Sequence, residues 1–144
     1  DFLERIAELA SAALSRLRGR RYVLTNAPAA YTARVLGVLG IAHLFDGVIA
    51  IEQMTMFGHL RPKPDARMFR WLAARLGVHP TRCVLVEDTL EHQKSARRVG
   101  MRTVWMQRWA RRAGLAPTAH GRLSITPPYV DRRVLNLRQL TRQG

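Results

Sequence analysis

Three short stretches of this 144-residue chain place side chains capable of chemistry directly behind apolar runs. The run Cys83-Val-Leu-Val86 ends on two adjacent acids, Glu87 and Asp88, and a helical pattern starts at once behind them. Two carboxylates closing a buried strand repel each other and lose hydration. A hard cation such as Mg²⁺, held between them and an anionic substrate, makes the arrangement favourable. The plainer reading makes one acid a helix cap and leaves the other in solvent. Lys63 stands in Arg61-Pro-Lys-Pro-Asp65, and only Lys94 joins it as a lysine among the 24 basic residues. Prolines on both sides stiffen an extended backbone. A compact ammonium on such a loop suits neutralising a phosphoryl group, although a solvated loop lysine would read the same way. Thr25 and Asn26 follow Tyr22-Val-Leu24. A hydroxyl at a strand end, just ahead of a helix N-terminus, suits a phosphate oxygen. The alternative is Asn26 as a simple N-cap.

The elements that must carry these groups alternate. Apolar positions from Phe2 to Leu17 recur at a helical period, and Gly19 closes that helix. Tyr22–Thr25 reads as a strand, and Pro28 opens a helix that runs to Leu39 before Gly40. Phe45–Ile51 reads as a second strand, and Thr55–Pro64 as a loop. Asp65 caps a helix through Leu76, closed by Gly77. Arg82–Val86 is a third strand, Thr89 caps a helix ending at Gly100, and Arg102–Met106 is a fourth strand. Beyond it, Arg111–Pro128 reads as a long loop, Tyr129–Leu135 as a last short strand, and Asn136 as the cap of a short helix. Strands alternating with helices of about 10–15 residues predict an α/β fold with a parallel sheet and helices on both faces. Ligands in such sheets bind along the edge formed by the strand C-termini. Thr25, Asn26, Lys63, Glu87 and Asp88 are therefore expected on one edge.

Composition sets outer bounds. Hydrophobic residues make up 47% of the chain, as in a globular core. No uninterrupted apolar stretch reaches the ~18–20 residues needed to cross a membrane. Cys83 is the only cysteine, so no internal disulfide forms; it reads as a small core residue, and a reducing, cytoplasmic compartment is expected. The net charge of +14 comes almost wholly from arginine, spread along the chain with modest clusters at Arg18–Arg21 and Arg108–Arg112. It admits three readings: nucleic-acid binding, attraction of an anionic small substrate, or a compositional preference for arginine. No helix-turn-helix, zinc-finger or RNA-binding signature accompanies it, which disfavours the first.

Taken together, Val-Leu-Thr25-Asn26, Arg-Pro-Lys63-Pro-Asp and Leu-Val-Glu87-Asp88-Thr resemble the haloacid dehalogenase-like hydrolases. The resemblance runs from about Tyr22 to Met106, and more weakly to Leu140. Within that family the chain looks most like the bacterial pyrimidine 5′-nucleotidases, through Leu-Thr-Asn-Ala-Pro28, Phe-Asp-Gly-Val-Ile49, Gly-Met-Arg-Thr-Val104 and Pro-Pro-Tyr-Val-Asp131. The resemblance implies a Rossmann-like core and Mg²⁺-dependent hydrolysis of a small phosphorylated substrate, a nucleoside monophosphate by branch. It implies Glu87 and Asp88 as metal ligands. It assigns Lys63 and Thr25 to charge stabilisation, and those two with Asn26 to phosphate binding.

One departure stands out. The family's nucleophile lies in an Asp-x-Asp pattern on a first, central strand, and no Asp-x-Asp occurs among Asp1, Asp46, Asp65, Asp88 and Asp131. The missing strand would leave two interior edges unpaired, at ~1–3 kcal/mol for each buried polar group. The natural protein is therefore expected to carry an upstream segment with that strand, both aspartates and most of a cap. Residues 1–20 would then be a remnant helix of the cap, and 21–144 the C-terminal part of the core. The chain alone is expected to be inactive. Two rival readings remain: a non-catalytic basic binding module on a degenerate hydrolase fold, and a dimer formed through exposed strand edges. A nucleic-acid module would show tight, steeply salt-sensitive retention of DNA, which a phosphatase would not. His92 is expected on the exposed face of its helix. Trp71 and Trp105 are expected in the core, and Met54, Met56 and Phe57 at a substrate entrance or against the missing segment. Trp109 is ambiguous.

Overall fold

The computed structural model describes residues 13, 16–107 and 125–140. Most of the Phe2–Leu17 helix, the Arg108–Arg112 cluster, Trp109 and most of the Arg111–Pro128 loop lie outside the described residues. The chain divides into two units, one formed by 1–62 with 137–144 and the other by 63–136.

In the first unit, β1 (Tyr22–Leu24) pairs in parallel with β2 (Gly47–Ile49), Val23 lying opposite Val48. The crossover between them is α1 (Ala29–Leu39), which buries Thr32 and Leu36. Gly40 ends the helix at φ +66°, a left-handed conformation that costs glycine little. Leu36 and Ile41 form the buried centre, with Val23, Val48, Leu44, Phe45 and Leu137 packed around them. The segment read as a loop contains a small antiparallel hairpin, β3 (Thr55–Met56) with β4 (His59–Leu60). Its tip is Phe57-Gly58, both with φ above zero. Two paired residues per strand are too few to give a legible period. Phe57 at that tip is 98% exposed, whereas Met54 is fully buried, so the three residues grouped at an entrance separate.

In the second unit, α2 (Ala66–Leu76) begins at Asp65, whose Oδ1 accepts from the Arg67 backbone N–H at 2.9 Å. The helix buries Met68, Phe69, Leu72 and Ala73. The sheet runs β5 (Val84–Glu87), β6 (Arg102–Met106), β7 (Arg132–Val134), all parallel, with β6 central. The crossover between β5 and β6 is α3 (Leu90–Arg98). Trp105 and Val130 pack with Leu90 and Tyr129. β5 starts two residues later than the pattern suggested, because Pro80–Arg82 forms a 3₁₀ turn. Cys83, expected in the core, is only half-buried just ahead of the strand. Trp71 is half-buried beneath the Arg75 guanidinium, 5.3 Å from its ring centroid, whereas Trp105 is buried as expected. Among the described residues β5 is an edge strand, and Val84 and Val86 on one of its faces are 54% and 37% exposed.

Asp131 ties β6 to the segment entering β7. It accepts from the Thr103 backbone N–H at 2.9 Å and from Arg97 Nη1 at 2.6 Å. Burial pushes its carboxyl up, but the Thr103 and Arg97 interactions together outweigh that and hold it below the usual carboxylate range. A carboxyl depressed in the folded state stabilises the fold fully above its unfolded value of about 4, and that gain is lost as pH falls through the folded value. Asp131→Asn is expected to cost about 1 kcal/mol at neutral pH, since the Arg97 pair is half-exposed. It should also flatten the loss of stability on acidification. Urea melts between pH 7 and 3 measure both; an unchanged acid limb would contradict the assignment.

Candidate active site

The loop leading into α2 delivers Lys63. Burial of Met68, Phe69 and Leu72 anchors the helix, and the Asp65 cap sets where the preceding Lys63-Pro64 must lie. Lys63 is buried, and its Nζ donates to Glu87 Oε2 at 2.8 Å. The two side chains are only 8% and 12% exposed. A solvated loop lysine is thereby set aside: an ammonium this deep needs a carboxylate, and losing either partner of such a pair costs about 3–5 kcal/mol.

Glu87 is the last residue of β5 and Asp88 the first beyond it. Successive residues at a strand end point to opposite sides, so the adjacent acids part company. Glu87 turns inward to Lys63, while Asp88 is exposed and its Oδ1 accepts from the Thr89 hydroxyl at 3.2 Å. Thr89 occupies the N-cap position of α3 without a capping bond from its side chain.

Two residues hold this strand end in place: Gln93, which the sequence reading did not include, and Trp105, which it placed only in the core. Gln93 is fully buried, and its Nε2 donates to the carbonyls of Glu87 at 3.3 Å and Val104 at 2.9 Å. Trp105 Nε1 donates to the Asp88 carbonyl at 3.0 Å. The acid pair thus sits on backbone fixed by one helix side chain and one strand side chain. The available signal was the face of α3: Gln93 and Ala96 are its buried residues, and a glutamine at a buried position needs polar partners.

His92 corrects the expectation of an outward face. Its side chain is 16% exposed, and Nδ1 lies 3.0 Å from Glu87 Oε2. Side chains on a helix tilt toward its N-terminus, which carries His92, the third residue of α3, back toward the strand end.

Thr25 and Asn26 lie in the first unit, directly behind β1. The Thr25 backbone N–H donates to Ile49 O at 3.0 Å, which continues the β1–β2 pairing by one residue. Its Oγ1 accepts from the Ala27 N–H at 3.0 Å, so the hydroxyl proton stays available for donation. Asn26 is not the helix cap. Pro28 takes that position, and the Glu52 carboxylate accepts from the first helical N–H, that of Ala29, at 3.1 Å. One N–H of that helix N-terminus is thus already used by an acid of the same unit.

Among the described residues no group of three or more His, Cys, Asp or Glu side chains forms a ready metal cage. The donor chemistry nevertheless fits Mg²⁺. That ion takes hard oxygens and keeps several waters, and one or two carboxylates suffice when a substrate phosphate joins them. Asp88 and the second oxygen of Glu87 supply such donors.

This architecture agrees with comparisons to known proteins. The haloacid dehalogenase-like hydrolase family model matches residues 3–100, and the chain belongs to that family. It is 39% identical over 88 residues to the fructose-1-phosphate phosphatase YqaB of Escherichia coli, covering 60% of this chain and 44% of that protein. It is 36% identical over 95 residues to the phosphatase MT3486 of Mycobacterium tuberculosis, covering 65% and 42%. The chain thus spans less than half the length of these curated relatives. Among solved structures, it resembles L-2-haloacid dehalogenase from Xanthobacter autotrophicus with a TM-score of 0.70 at 22% identity, covering 92% of this chain and 58% of that one. It also resembles a HAD phosphatase from Thermococcus onnurineus with a TM-score of 0.66 at 26% identity, covering 90% and 53%. The fold is an α/β core of the haloacid dehalogenase type, with parallel strands, flanking helices and an antiparallel hairpin. No helix among the described residues is long and apolar enough to cross a membrane.

The ion pair gives a direct test. With only two lysines, the chain labelled with ¹⁵N-lysine shows two ammonium signals, and exposed Lys94 serves as reference. Glu87→Gln is expected to cost about 3 kcal/mol in a urea melt and to abolish the slow hydrogen exchange of the Lys63 ammonium. Equal exchange of the two lysines in the unsubstituted chain would contradict the buried pair.

Proposed function

We propose that this chain is the charge-handling part of a Mg²⁺-dependent phosphomonoesterase whose nucleophile lies outside these 144 residues. The observation that supports it most is the buried Lys63–Glu87 pair at the end of β5, with Asp88 exposed beside it. A cation and an anion are held together there beside a second carboxylate, on backbone pinned by Gln93 and Trp105. In this reading Lys63 neutralises charge on the transferring phosphoryl group. Asp88 and Glu87 would hold Mg²⁺, which screens the phosphate against the incoming anionic nucleophile. Thr25 and Asn26 serve phosphate recognition, the Thr25 hydroxyl as donor. Lys63 and Thr25 stabilise charge and form no bond to phosphorus.

In this reading the attacking carboxylate belongs to another segment, since no Asp-x-Asp occurs among these residues. The open edge of β5, with Val84 and Val86 exposed beside it, is a place where such a strand can pair. The substrate is a small phosphate monoester. The sequence branch favours nucleoside 5′-monophosphates, and the identity to a fructose-1-phosphate phosphatase favours a sugar phosphate as the second reading.

Phosphate release from uridine and cytidine monophosphates and from fructose 1-phosphate, with Mg²⁺ and with chelator, tests the proposal. The product of the gene with its upstream sequence is expected to turn over at least one of them. Lys63→Ala should lower its kcat about 100-fold or more, and Asp88→Ala should abolish the Mg²⁺-supported release. The 144-residue chain is expected to release none. Turnover by that chain, or turnover indifferent to Lys63, would contradict the assignment.

A further inference from the structure

His92 sits in the first turn and a half of α3, close to the Glu87 carboxylate. Its Nδ1 is 3.0 Å from Oε2, the oxygen that also accepts from Lys63 Nζ at 2.8 Å. The approach is short but off-axis, because Nδ1 is buried and makes no aligned hydrogen bond. A buried nitrogen in that condition costs ~1–3 kcal/mol. An apolar side chain would fill the position without this cost. Among the described residues, every polar contact of the Glu87 carboxylate falls on Oε2 and none on Oε1. Two partners converging on one oxygen set the rotation of the carboxylate about its last bond. The second oxygen is thereby aimed away from both.

We propose that His92 is a positioning residue: through Nδ1 it holds Glu87 with Oε2 against Lys63, so that Oε1 is the oxygen presented to the ligand of the site. The inference rests on reading Glu87 and Asp88 as the cation-facing acids. The off-axis contact fits a site that tightens on filling, since hydrogen bonds of empty catalytic sites are often poorly aligned. Once Oε1 engages a cation, a small rotation of the carboxylate brings Oε2 onto the Nδ1–H axis. Lys63 alone cannot set this rotation, because one donor on one oxygen leaves the carboxylate free to turn about it. Among the described residues Asp88 has no comparable pair of partners. Its Thr89 contact comes from the neighbouring residue and leaves it exposed.

The test uses the two lysine ammonium signals at one fixed pH. An asparagine amide places a donor near the position of Nδ1, whereas a glutamine amide reaches toward that of Nε2. His92→Asn is therefore expected to keep the Lys63 ¹⁵N shift and slow exchange, while His92→Gln and His92→Ala speed exchange about tenfold. Lys94 should stay constant throughout. Thermal melts of the three variants separate this from general loosening, which would move all of them together. Equal effects of Asn and Ala, or no effect of any variant on Lys63, would overturn the proposal and leave His92 as packing. Adding Mn²⁺ tests the underlying reading separately. Its broadening of the Lys63 signal should need more Mn²⁺ in the Gln and Ala variants than in Asn or the unsubstituted chain. Mn²⁺ that broadens neither lysine would remove the cation from Glu87 and Asp88, yet leave the Asn-against-Ala pattern to decide the role of His92.

Discussion

A buried ammonium cannot stand without a carboxylate, and much of the second unit is arranged to meet that demand. Lys63 and Glu87 are 24 positions apart in the chain, yet their charged atoms meet at 2.8 Å with little exposure of either side chain. Bringing them together requires the α2 helix to be docked by Met68, Phe69 and Leu72, so that the loop ahead of it is held. It also requires β5 to end at a fixed height, which its parallel register with β6 provides, Glu87 lying opposite Trp105. Gln93 and Trp105 then secure the carbonyls of the two acids. A buried pair of this kind adds little net stability compared with apolar packing. On the proposed reading, the pair serves instead to set a fixed positive charge beside a carboxylate for an anionic substrate.

The strand end resolves a conflict that two adjacent acids would otherwise create. Alternation along β5 sends Glu87 inward to its counter-charge and leaves Asp88 in solvent, so the two negative charges are not packed against each other. Glu87 is neutralised from one side and Asp88 remains a hydrated donor. A divalent ion arriving with a phosphate would meet one pre-set and one adaptable carboxylate. The rest of the unit carries its own ionic fastening at Asp131, remote in sequence from this pair, which ties Thr103 and Arg97 to the entry of β7.

Much of this was legible in the residues. The alternating βα pattern, the Asp65 cap and the glycine ends of α1 and α2 follow from local rules that act within a few positions, and the structure has them. The burial of Lys63 was half-legible: prolines on both sides argued for a fixed loop, but its partner lay too far along the chain to be read. The hairpin at Thr55–Leu60 escaped because two-residue strands carry no period. His92 was misplaced because a helix of nine residues has too few apolar positions to define its inner face. On α3 that face is marked by Gln93 and Ala96, neither of which is strongly apolar. The assignment of the acids, of Lys63, and of the Thr25-Asn26 pair came from their combination and its resemblance to a family. The family match over residues 3–100 supports that resemblance, whereas the nucleotidase branch is not singled out among the relatives found.

The central claim is that these residues handle charge while the bond to phosphorus is made by an aspartate elsewhere. Trapping the phosphorylated carboxylate in the gene's full product measures this directly. Incubation with substrate and Mg²⁺, quenching, borohydride reduction and peptide mass mapping would locate the modified aspartate. The account predicts that it lies upstream of Asp1, in an apolar strand ending in Asp-x-Asp. Modification at Asp88, or at any other aspartate of this chain, would contradict it.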